Sequence, residues 1–209
     1  MKSIEIQSPV KGEWSFMNPP GHHPDAKDFV AVNQNGKPYP SLKLLPHIFY
    51  KINVNHTYAW NQAVYSPFSG YIRFAKNNSN DRASLNIIRD IFKGLFLAKQ
   101  NAHKGLEYFL GNYIIIESAF GVYALLAHLK KDSLRVKEGQ KVVEGEIIAY
   151  VGNSGNTIQP HLHFQLMKDS DPTVAIPVPF TFKSYKIKEK GKWINASNGL
   201  PDNFQSFSI

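Results

Sequence analysis

The chain carries eight histidines and no cysteine. Any metal or hydrolytic chemistry therefore runs through imidazole and carboxylate groups, not thiolates. His161 and His163 stand in Q-P-H-L-H-F-Q-L-M. Side chains alternate along a strand, so His161, His163 and Gln165 face one way and Leu162, Phe164 and Leu166 the other. Pro160 suits the start of such a strand, where no N–H is needed. This pattern predicts an apolar face that anchors the strand and an exposed face with two imidazoles, serving as ligands, catalysts or structural groups. His128 closes the apolar segment Gly121–Leu129. Alternation places it with Val122, Ala124 and Leu126, opposite Tyr123, Leu125 and Ala127. In P-P-G-H-H-P-D-A-K-D-F, His22 and His23 lie on a Pro/Gly loop shortly before Asp28, which opens an apolar run. A carboxylate entering a core needs a partner, and a divalent cation, Lys27 or Arg73 would each serve. Together these residues form a composition that zinc accepts, with a fourth tetrahedral position left open. The missing cysteines exclude iron–sulfur and soft-metal centres.

The elements that must position these groups are mainly strands. The chain has 209 residues, 43% hydrophobic and 19% charged, enough for one soluble domain with a sizeable core. Asp28–Val32 reads as a buried strand, and A-V-Y-S-P-F-S-G-Y-I-R-F as two short strands around a turn. N-Y-I-I-I-E-S and G-V-Y-A-L-L-A-H-L form a hairpin across residues 119–121. L-R-V-K-E-G-Q-K-V-V-E-G-E-I-I-A-Y-V-G alternates strand and turn. Near 81–100 the period changes: Leu85, Ile88, Ile91, Phe92, Leu95 and Phe96 recur at helical spacing, with Asp81 or Ser84 as N-cap. The expected class is all-β, mainly antiparallel, with one helical insertion near 81–100. No linker divides the chain, so residues 1–209 make one domain, with a core of about 21–170, an insertion within about 77–110 and a tail at 180–209. Lys186, Lys188, Lys190 and Lys192 share parity, as a charged edge strand or a binding stripe.

The run from R-V-K-E-G-Q-K-V through I-I-A-Y-V-G-N-S-G-N to P-H-L-H-F-Q-L resembles the carboxy-terminal signature of lysostaphin-type zinc endopeptidases. That family cleaves peptide cross-links in bacterial peptidoglycan. A-V-Y-S-P-F-S-G-Y-I is similar to the family's first hairpin, and L-L-A-H-L to the strand with its isolated histidine. The elements follow in the family's order from about Gly21 to Met167. The resemblance implies an antiparallel β sandwich with a central groove and one zinc ion. Carried over motif by motif, the metal ligands are His23, Asp28 and His163, and the catalytic groups are His128 and His161. One of the latter pair would act as general base and the other on the carbonyl oxygen or leaving amine. The sequence departs from the family's H-x-x-x-D spacing. Four residues separate His23 from Asp28 and five separate His22, so His23 is the smaller change and His22 the alternate.

The implied activity is zinc-dependent hydrolysis of peptide bonds, with peptide or peptidoglycan as substrate. A catalytically silent protein that binds a wall or protein partner through the same groove is the alternative. The net charge of +8 suits an anionic wall polymer. Dense basic runs of nucleic-acid type are missing, and no nucleic-acid partner is expected. The apolar runs are too short for a transmembrane helix. The amino-terminal residues lack a signal-peptide pattern, while the resemblance points to the bacterial envelope or secretion; the cytoplasm stays open. The sequence leaves the oligomeric state undefined.

Overall fold

Runs of β-branched and aromatic residues become strands in a computed structural model that describes residues 2–18, 23–40, 51–86 and 105–209. The first half contributes β1 (Ile4–Ile6), β2 (Glu13–Met17), β3 (Lys27–Ala31), β4 (Ile52–Asn53), β5 (Ala63–Tyr65), β6 (Gly70–Lys76), β7 (Ser84–Leu85) and β8 (Asn112–Ser118). Then follow β9 (Tyr123–Leu129), β10 (Lys141–Val142), β11 (Ile147–Tyr150), β12 (Leu162–Met167), β13 (Pro177–Val178), β14 (Phe180–Glu189), β15 (Lys192–Gly199) and β16 (Ser206–Ser208). One short helix, α1 (Leu106–Leu110), precedes β8.

A 12-stranded sheet runs in the order β1-β14-β16-β2-β3-β12-β9-β8-β6-β10, with β13 added to β12 and β15 to β14. Its pairings are antiparallel apart from β1 with β14. The β5–β11 pair supplies a second layer: Val64, Ile148 and Ala149 share the main core with Ile114, Ile116, Ala124, Leu126, Leu162, Phe164 and Leu166. Edge-on aromatic packing ties the strands that carry the site. Phe29 meets Phe16 at 4.8 Å and Phe164 at 6.0 Å between ring centroids. The opposite face of the same strands carries a smaller apolar cluster of Leu110, Tyr113, Ile115, Leu125, Ala127 and Met167. Because both faces of β8 and β9 are covered, their sequences read as nearly continuous apolar runs.

The mainly antiparallel β architecture agrees with the sequence expectation. Within the expected helical insertion, residues 81–86 are instead extended. Asp81 bridges to Ser154, and Ser84–Leu85 pairs with Ile52–Asn53. Leu85 is buried there against Ile52 and Val54, so tertiary packing overrides the local period. Residues 87–104, where the rest of that expectation falls, lie outside the described residues. The lysine line is also broken. Lys190 and Gly191 form the turn at φ 47° and 80°, joining β14 to β15. Lys192 then pairs with Glu189, on the face opposite Lys186 and Lys188; Lys188 instead stacks over Trp193 at 5.2 Å.

Candidate metal and catalytic centre

Asp28 on β3 and His163 on β12 stand directly opposite each other in the ladder, and Ala127 of β9 faces His163 from its other side. Paired residues share a face, so the register alone brings Asp28 to His163. Their side chains meet at 2.8 Å between Asp28 Oδ1 and His163 Nδ1. His161, two residues earlier, brings its Nε2 to 3.5 Å from Asp28 Oδ2. The expected exposed face is in fact covered: His161 is 5% and His163 9% exposed, and Asp28 only 2%.

His128 reaches this face by a route that strand alternation does not predict. Regular alternation would leave it on the main-core face with Leu126. Instead the β8–β9 ladder shifts register between Asn112 and Tyr113, and His128 adopts a left-handed φ of 60°. That bulge turns the side chain over, a conformation histidine adopts more readily than most residues. Its ring lies 4.6 Å from His161 and 6.1 Å from His163 between centroids.

Backbone carbonyls fix how these rings are protonated. A carbonyl only accepts, so His128 Nδ1–H donates to Ser154 O at 2.9 Å and His161 Nδ1–H donates to Gln159 O at 2.8 Å. Thr157 Oγ1 lies 3.0 Å from the same His161 nitrogen. Each neutral ring therefore keeps a lone pair on Nε2. His161 Nε2 is buried and has no hydrogen-bond partner among the described residues. Burial, followed by the neighbouring His161 and His163, holds the His128 pKa well below the ordinary histidine value of 6.5. His128 is thus a neutral base at neutral pH.

The glycine-rich turn over residues 152–156, with Asn112, supports His128. The Asn112 side chain donates to Leu129 O at 3.0 Å and Ser79 O at 2.8 Å, and accepts from Ser79 N–H at 2.7 Å. Ser154 Oγ accepts from Asn112 N–H at 2.9 Å and donates to Leu129 O at 2.8 Å. Asp81 accepts from Lys131 N–H at 2.8 Å and Asn153 N–H at 2.7 Å, bracing both sides of the bulge. The turn packs backbone on backbone: a Cβ on Gly155 would stand 2.5 Å from Gly111 N, so no larger residue fits. The available signal for Asn112 was one polar residue opening an apolar strand.

His23, on the loop before β3, keeps its polar contacts within that loop. Its imidazole is 49% exposed, accepts from Asp25 N–H at 3.2 Å and lies 3.7 Å from the Asp25 carboxylate. His22 lies outside the described residues. The expected partners Lys27 and Arg73 are engaged elsewhere: Lys27 lies over the Phe16 ring at 5.9 Å, and Arg73 pairs with Glu117. No group of three or more metal-type donors is closed among the described residues. The donor chemistry nevertheless fits zinc. Tetrahedral bonds of 2.0–2.1 Å set donors about 3.3 Å apart, and the ligand pair Asp28 Oδ1 and His163 Nδ1 stands at 2.8 Å, within about half an ångström of that separation.

Residues 52–174 match the profile of peptidase family M23. A peptidoglycan DD-endopeptidase of Vibrio cholerae, ShyA, is 37% identical over 68 residues, covering 32% of this chain and 15% of that protein. The DD-carboxypeptidase/endopeptidase Mpg of Neisseria meningitidis is 39% identical over 80 residues, 36% of this chain and 18% of that protein. The chain thus spans under a fifth of these relatives' lengths. Among solved structures, lysostaphin of Staphylococcus simulans superposes with a TM-score of 0.45 at 20% identity, over 78% of this chain and 47% of that one.

Proposed function

Because the chain belongs to peptidase family M23, a family of zinc-dependent hydrolases, we propose that it is an endopeptidase acting on the peptide part of peptidoglycan, in the cell envelope. The observation that carries this reading is the convergence of Asp28, His161, His163 and His128 in one buried cluster, where His161 Nε2 has no hydrogen-bond partner among the described residues. Asp28 and His163 hold the metal together with a loop histidine, His23 or its alternate His22. Bound zinc supplies Lewis acidity to the site and lowers the pKa of water. The protein's own part is proton transfer and orientation. Either His161 or His128, each with its lone pair on Nε2, takes the proton from the attacking water. The ring that took it gives that proton from Nε2 to the leaving amine, and the other, once protonated on Nε2, donates to the carbonyl oxygen. The carbonyls of Gln159 and Ser154 hold both Nδ1–H groups, which leaves Nε2 of either ring as the atom that takes up the proton.

The peptidoglycan reading draws on the relatives named above and on the net charge of +8, which suits an anionic polymer. Its test is digestion of purified bacterial sacculi with zinc-loaded protein, reading soluble fragments by mass spectrometry. New peptide amino termini are expected, and a His161→Ala variant should release them roughly 10²–10⁴-fold more slowly. Sacculi that bind the protein and stay intact would favour the catalytically silent reading.

A further inference from the structure

Thr157, buried beside the centre, brings its hydroxyl to the ring nitrogen of His161 that points away from Asp28. Thr157 Oγ1 stands 2.6 Å from Gln159 O and 3.0 Å from His161 Nδ1, and Nδ1 stands 2.8 Å from Gln159 O. These atoms close a triangle in which the hydroxyl and the ring each hold one hydrogen and the carbonyl holds none. A hydroxyl turned toward a bare Nδ1 would leave acceptor facing acceptor at both 2.6 and 2.8 Å. The hydroxyl therefore donates to Gln159 O, and Nδ1–H points between Gln159 O and Oγ1.

The triangle is anchored from outside. The Arg82 guanidinium donates to Thr157 O. The Arg82 backbone is held in turn by Asn153, whose Nδ2 donates to Arg82 O at 2.9 Å and whose carbonyl accepts from Arg82 N–H at 3.2 Å. His128 differs: its Nδ1 meets a single acceptor among the described residues, Ser154 O at 2.9 Å. In either role open to it, His161 passes through an imidazolium with its new proton on Nε2. That charge is shared with Nδ1–H, whose hydrogen bonds then become about twice as strong as neutral ones. Because its own hydrogen is committed to Gln159 O, the hydroxyl presents lone pairs to Nδ1–H before the charge forms.

We infer that Thr157 is a positioning residue for the reaction, whose hydroxyl fixes the His161 ring with Nε2 toward Asp28 and supplies a second acceptor to the imidazolium. The inference rests on the peptidase reading and deepens it with a residue that acts through His161.

Two variants separate the hydroxyl from the shape of the side chain. Thr157→Val keeps the branched shape and removes the hydroxyl, whereas Thr157→Ser keeps the hydroxyl. Gln159 O retains His161 Nδ1–H in both, so neither change leaves that buried carbonyl without a donor. In zinc-free, ring-labelled full-length protein, NMR reads the Nδ1–H resonances of His161 and His128. The His161 proton should move upfield in Thr157→Val, as its hydrogen bonding weakens, and return in Thr157→Ser, with the His128 proton unmoved in both. With zinc-loaded protein and sacculi as substrate, kcat should fall about five- to tenfold in Thr157→Val while KM holds, and stay within about twofold of wild type in Thr157→Ser. An unmoved His161 resonance, an unchanged kcat in Thr157→Val, or a Thr157→Ser variant as slow as Thr157→Val would each overturn the role. Sacculi left intact by the wild-type protein would instead remove the peptidase reading, a result distinct from these because the resonances need neither metal nor cleavage.

Discussion

Replacing Asn112 by alanine isolates the support of the His128 bulge. The change deletes contacts to Ser79 N–H, Ser79 O and Leu129 O at 2.7, 2.8 and 3.0 Å. Leu129 O keeps its bond from Ser154 Oγ, so it is not orphaned. The Ser79 groups lose both partners at a part-buried site. At about 1 kcal/mol per net hydrogen bond, the sum is about 3 kcal/mol. A domain of this size loses about 2–4 °C of Tm per kcal/mol, so the midpoint should fall by about 6–12 °C. The assay is thermal unfolding by circular dichroism, paired with cleavage kinetics well below the new midpoint. Since the contacts brace Leu129, next to His128, kcat should fall while KM holds. A Tm shift below about 2 °C, with kcat unchanged, would refute the claim that Asn112 braces the bulge.

Other outcomes follow from the same geometry. The unfolded chain takes up a proton near pH 6.5 that buried His128 refuses, so zinc-free protein should keep its stability above that pH and lose it as pH falls below. Urea midpoints at about pH 7.5 and about pH 5.5 check this, and His128→Gln should flatten the difference. In Gly152→Ala, the new Cβ would stand 2.4 Å from the backbone of Lys130, which cannot give way without moving the bulge. A loss of about 1–3 kcal/mol is expected from denaturant unfolding. His23→Ala and His22→Ala should differ in zinc retention on dialysis. The variant that loses the ion identifies the loop ligand, and retention by both would exclude a single loop histidine as ligand.

Much of this centre could be read from residue spacing. The alternation of Q-P-H-L-H-F-Q-L-M correctly sets Leu162, Phe164 and Leu166 into the main core and the histidines on the other face. Burial of that face was not legible, because its covering comes from residues distant in the chain, such as Asp28. Alternation places His128 on the wrong face for a physical reason. Alternation holds only while the strand stays regular, and one left-handed residue reverses it. Asp81, like Ser84, suits a helix N-cap because an oxygen-bearing side chain before an apolar periodic run fits that role. In the fold it caps two backbone N–H groups on either side of the bulge instead. The lysines from 186 to 192 show the same limit: a two-residue turn at Lys190-Gly191 divides what looked like one stripe.

Zinc content tests the central claim most directly. Wild-type protein and its Asp28→Ala, His163→Ala and His161→Ala variants are supplied with zinc at neutral pH, desalted and analysed by mass spectrometry. About one zinc per chain is predicted for the wild type and for His161→Ala, and none for Asp28→Ala or His163→Ala. Cleavage by His161→Ala should drop by roughly 10²–10⁴-fold while its metal stays. A metal-free wild type, or full zinc retention in His163→Ala, would contradict the account.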